Sequence, residues 1–78
     1  MMVRVTFAKA DEVLAAVVRA LVAKAAGLQA VSGTNERLLH QQGFYEFELK
    51  GRQFDKFKEW TENYIADDYR KLIRISNG

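Results

Sequence analysis

The sequence predicts an α+β domain: one antiparallel sheet with two helices on a single face. Three observations carry this. Val3, Val5 and Phe7 alternate with Met2, Arg4 and Thr6, and a period of two marks a half-buried strand. Tyr45, Phe47 and Leu49 alternate in the same way with Phe44, Glu46 and Glu48. Apolar residues recur at helical spacing in two further stretches, after Asp11 and after Gly51.

The elements follow in order. After the first strand, Asp11 and Glu12 place negative charge where a helix N-terminus favours it. Val13, Leu14, Val17, Val18, Leu21, Val22 and Ala25 then form one broad apolar stripe, and Gly27 is placed to end the helix in a left-handed cap. Ser32-Gly33-Thr34-Asn35 has the chemistry of a turn or a bulge. Arg37 to Gln41 reads as an extended second strand, joined through Gln41-Gln42-Gly43 by a tight hairpin to the strand Phe44–Lys50. Gly51 breaks that alternation. Phe54, Phe57, Thr61, Tyr64 and Ile65 share one face of a second helix of roughly four turns. Lys71 to Ser76 alternates again, with Ile73 and Ile75 on one side. Strand, helix, strand, strand, helix, strand is the order of a ferredoxin-like βαββαβ domain, a four-stranded sheet of spatial order 4-1-3-2. An α+β fold with another strand order is the alternative, because the second strand is weakly marked.

The chain has 78 residues, which fits a single domain, 1–78. A domain of this size buries only roughly 60–65% of the surface of its unfolded chain, so its stability is modest. An apolar fraction of 49%, with five Phe, three Tyr and one Trp, supplies one core and argues against disorder. The absence of cysteine excludes disulfides, thiolate nucleophiles and cysteine-based zinc sites. The first residues carry charge early, unlike a signal peptide, and the apolar run Val13 to Leu28 is interrupted by Arg19 and Lys24. A soluble, cytoplasmic protein is the expectation. The net charge of +2 permits weak attraction to polyanions without implying it.

Gly43-Phe44 matches the start of the aromatic strand with which RNA-recognition domains stack bases. Beyond that the match fails. Tyr45 stands where a small residue belongs and Glu46 where the second stacking ring belongs. Alternation sends Tyr45, Phe47 and Leu49 to the core and leaves two carboxylates on the open face, where they repel phosphate. That face reads instead as a charge ladder, with Arg4 between the Glu46/Glu48 pair and Arg74. It is either a self-neutralising solvated surface or a polar partner surface to which Phe44 and Leu72 add apolar contacts.

No catalytic set has the necessary spacing. His40 stands without a cysteine or an acidic pair, and Asp67-Asp68 are adjacent residues that point apart. No metal motif, calcium loop or glycine-rich phosphate cradle is present. The chain is therefore expected to be a non-enzyme without cofactor or metal.

Three surfaces remain for binding. Opposite the apolar stripe of the first helix lie Ala16, Ala20 and Ala23, small enough to let a partner or a second copy approach closely. Trp60 lies at the edge of the second helix's stripe and suits an interface anchor, or else caps the core edge. Arg37, His40, Lys50 and Arg52 were they to converge at the hairpin end would make a basic site for nucleic acid. The leading expectation is a small protein-binding regulator, an adaptor or stoichiometric inhibitor of the phage or plasmid type, forming a homodimer. A nucleic-acid-binding regulator is the alternative.

Overall fold

The computed structural model describes residues 1–77. Among them the order is β1 (Met2–Phe7), α1 (Glu12–Ala26), a 3₁₀ turn (Leu28–Val31), α2 (Glu36–Gln42), β2 (Phe44–Glu48), α3 (Gly51–Tyr64), α4 (Asp67–Arg70) and β3 (Ile73–Asn77). The strands form one antiparallel sheet of order β2-β1-β3. Both flanking strands run antiparallel to β1 and hence parallel to each other, with α3 as the crossover between them.

The alternation in the sequence is realised as read. Val3, Val5, Phe7, Tyr45, Phe47 and Leu49 are buried under the helices, while Met2, Arg4, Thr6, Phe44, Glu46 and Glu48 lie on the opposite, uncovered face. Cross-strand pairing sets Val3 against Phe47 and Val5 against Tyr45. The Tyr45 ring meets Phe7 and Phe47 edge-on, with centroids 5.6 and 6.1 Å away. Leu14, Ala15, Val18, Leu21 and Val22 of α1, with Phe57 and Ile65, close the core from above.

The expected second strand does not form: residues 36–42 coil into α2, and the sheet has three strands instead of four. The physical reason is local. Asn35 caps the helix by accepting a hydrogen bond from the Leu38 backbone N–H at 2.9 Å, and Glu36 stands in the first turn. Glu-Arg-Leu-Leu-His-Gln-Gln contains no β-branched residue. Leu39 points into the core at 1% exposure, which a single helical turn can deliver as well as a strand. The expected hairpin is absent too. Gly43 does adopt a positive φ, 78°, but as the left-handed cap of α2, its N–H bonded to the Leu39 carbonyl at 2.9 Å.

Two further differences concern α1. Its buried stripe is Leu14, Ala15, Val18, Leu21 and Val22, so Val13 and Val17 leave the core for the outer side, 76% and 38% exposed. The helix is apolar nearly all round, and spacing alone does not say which side meets the sheet. The small Ala15 is the residue that lets the helix sit down. Asp11 is the N-cap, accepting from Leu14 N–H at 3.0 Å. Gly27 ends the helix as expected, but at φ 91° and ψ 164°, outside the left-handed helical well.

Two side chains fix the segment before α2. Arg19 Nη1 donates to the Thr34 carbonyl at 3.1 Å, and the Tyr45 hydroxyl donates to the Asn35 carbonyl at 2.8 Å. Arg19 Nε is buried without a partner among the described residues. Burial raises the Tyr45 hydroxyl above its ordinary pKa of 10.0; Arg19 opposes that rise, while Glu36 and Glu12 add to it.

Two outcomes follow. Asn35→Ala lowers the unfolding free energy by about 1 kcal/mol in urea denaturation, whereas Asn35→Asp stays close to wild type, since aspartate caps equally well. A tyrosine with a raised folded-state pKa contributes its full stability below the unfolded value near 10 and loses it as pH climbs through the folded value. Stability measured against pH therefore declines above about pH 10, and Tyr45→Phe flattens that decline.

Candidate protein-interaction surface

Helix α1 carries a second apolar stripe. Val13, Ala16, Val17 and Ala20 follow the spacing i, i+3, i+4, i+7, and all four are exposed. The predicted Ala16 and Ala20 thus belong to a larger surface than the alanines alone, while Ala23 is half-buried at its far end. Along α1 only Glu12, Arg19 and Lys24 are polar, and Arg19 is turned toward Thr34.

The stripe borders a groove of about 530 Å³ between α1 and the α3–α4 junction. Leu14 and Ile65 reach into it from the core, and Tyr64 and Tyr69 stand on its far wall, 63% and 54% exposed. Asp11 is the one charged residue lining it. Four large exposed apolar side chains, Val13, Val17, Tyr64 and Tyr69, therefore face one depression. Leaving such groups in water is unfavourable, and burying each valine against a partner contributes on the order of 1–2 kcal/mol. Helical spacing places Val13, Val17 and Tyr64 on core-facing stripes and does not single out Tyr69, whereas all four are exposed in the structure. The shortage of polar residues in α1 was the signal that this helix is apolar on both sides.

Trp60 is half-buried and packs against the core. The Lys24 ammonium lies 4.9 Å from its ring centroid and 5.5 Å from that of Tyr64. Trp60 therefore joins α3 to α1 at the core edge, just beyond the groove.

On the uncovered sheet face, Arg4 bonds Glu46 at 3.2 Å and its guanidinium lies 4.0 Å from the centroid of the half-buried Phe44 ring. The ladder stops there. Arg4 faces Ser76 on its other side, and Arg74 faces Thr6. The remaining carboxylate, Glu48, is 3.2 Å from the N-terminal ammonium. Leu72 packs against the core and adds nothing to this face.

The four basic residues do not gather at one place. His40, on α2, bonds Glu12 at the start of α1, at 2.9 Å. That is the end of the sheet where Phe7 N–H meets the Gly43 carbonyl. Lys50 and Arg52 follow the opposite end, where Leu49 N–H meets the Met1 carbonyl. With no hairpin, β2 holds the two groups apart by its own length, roughly 17 Å at about 3.4 Å per residue. Arg37 is exposed on α2.

Among the described residues, no three His, Cys, Asp or Glu side chains are grouped to hold a metal ion, and no helix is long and apolar enough to cross a membrane. Set beside known protein families, curated proteins and solved structures, the chain matches none of them.

Proposed function

We propose that this chain is a small, non-enzymatic, cytoplasmic protein-binding regulator, an adaptor or a stoichiometric inhibitor, that seats a partner protein on the outer stripe of α1 and in the adjoining groove. Self-association accompanies this through a second surface. The observation that carries the reading is an apolar helix side with nothing over it: Val13 at 76% exposure in line with Ala16, Val17 and Ala20. Helices that are apolar all round are ordinarily buried. Tyr64 and Tyr69 add rigid amphipathic rings of the kind that anchor interfaces. The sheet supports a ferredoxin-like reading with α2 in place of one edge strand, because β2-β1-β3 reproduces the 3-1-4 portion of the expected order.

The test is a tagged pull-down from host lysate, with and without nuclease and at two salt concentrations, using wild type and Val17→Glu. The expected result is a protein partner retained through nuclease and salt and lost with Val17→Glu, whose exposed position leaves the fold intact. Ala20→Glu weakens capture in parallel. Bound nucleic acid that is released steeply by salt overturns the reading in favour of the nucleic-acid alternative. Capture indifferent to both glutamates overturns the assignment to α1.

A further inference from the structure

The sheet has two free edges, and they are not equivalent. In an antiparallel sheet each residue directs its N–H and C=O together to one side, alternating along the strand. Phe7 N–H bonds Gly43, so Val3, Val5 and Phe7 face β2; Ala8 N–H bonds Leu72, so Arg4 and Thr6 face β3. It follows that Arg74 and Ser76, with the Leu72 carbonyl, direct their backbone groups toward β1, while Ile73, Ile75 and Asn77 direct theirs outward. No hydrogen bond among the described residues occupies those outward groups. By the same parity, Phe44, Glu46 and Glu48 face outward on β2.

We infer that the β3 edge is a homodimer contact, in which Ile73–Asn77 of two copies pair antiparallel about a two-fold axis through Ile75. This gives a geometry to the self-association proposed above and uses none of the α1 surface. The register is self-complementary. Centring on Ile75 sets Ile75 against Ile75, Ile73 against Asn77 and Arg74 against Ser76, so every outward N–H and C=O of the three residues meets a partner. No like charges stand directly opposite. The two Arg74 side chains sit one diagonal step apart, about 7–8 Å, in open solvent. The β2 edge lacks this property. Full overlap there centres on Glu46 and sets carboxylate against carboxylate, and the Phe44 carbonyl is already taken by Gln42 Nε2 at 2.8 Å.

A second observation supports the β3 edge. A groove of about 360 Å³ runs beside it, with Ile73 and Ile75 half-buried in its floor and Lys58, Glu62 and Arg70 on its rim. Pairing two copies brings both isoleucine floors together on the helical side. Because the rim carries both signs, a symmetric copy can meet it with opposite charge. The product is a single sheet made of two three-stranded ones.

The test is sedimentation equilibrium of the full chain, with circular dichroism to verify folding. Ser76→Glu places a carboxylate opposite Arg74 of the other copy, twice by symmetry, and beside Arg4 of its own sheet. The expected result is a dimer tightened roughly 2- to 30-fold. Adding Arg74→Glu to Ser76→Glu sets like charges opposite one another twice and weakens the dimer by a similar factor. In a chain without cysteine, Ile75→Cys forms an oxidised covalent dimer, since paired residues there stand about 5.5 Å apart at Cα, and Glu46→Cys does not. A chain that stays monomeric at all concentrations overturns the inference. So does a dimer indifferent to the residue 74 and 76 changes, or one dissolved by Val17→Glu. Loss of partner capture with an intact dimer, or the reverse, separates this contact from the α1 surface.

Discussion

The backbone at Thr34–Asn35 is the hinge on which the architecture turns. Arg19 holds one of its carbonyls and Tyr45 the other, and both side chains come from the core elements rather than from the loop. With those carbonyls fixed, the Asn35 side chain is free to cap, and the residues after it coil. Had they extended, they would have lain beside β2 and covered its edge. The sheet is three strands wide, and Arg19 and Tyr45 hold the short segment that leads into the helix standing where a further strand was expected.

That choice spreads outward. Coiling brings Leu39 into the core and sets His40 against Glu12. It also makes β2 an edge of the sheet. Meanwhile α1 satisfies the sheet with one side and still has apolar residues left over on the other. In a chain this small the core cannot use all its apolar groups, and the candidate surfaces are what it leaves over.

The sheet was the most legible part of the sequence. Strict alternation in Met2–Phe7 and Phe44–Glu48 has one interpretation, and both strands and their buried faces follow from it. The segment 36–42 was misread because its cap, Asn35, doubles as turn chemistry, and because Gly43 serves a hairpin and a helix end equally well. The orientation of α1 was illegible for a different reason: a helix apolar on two sides has no amphipathic direction to read. That ambiguity hid half of the candidate surface, since Val13 and Val17 were assigned to the wrong side, whereas Ala16 and Ala20 were placed correctly as outward-facing. The basic cluster failed with the hairpin that was to assemble it.

The position of β1 has a consequence for how the molecule is made. Of the three described strands the earliest in sequence is the central one, and one of its two neighbours is the latest: Val3 pairs with Asn77, 74 positions away. Until β3 has left the ribosome, one side of β1 has no strand to bond, and closing that loop costs entropy before any contact rewards it. A chain emerging from the ribosome thus holds Val3, Val5 and Phe7 in an incomplete sheet until β3 follows, and closes the sheet only across that long separation.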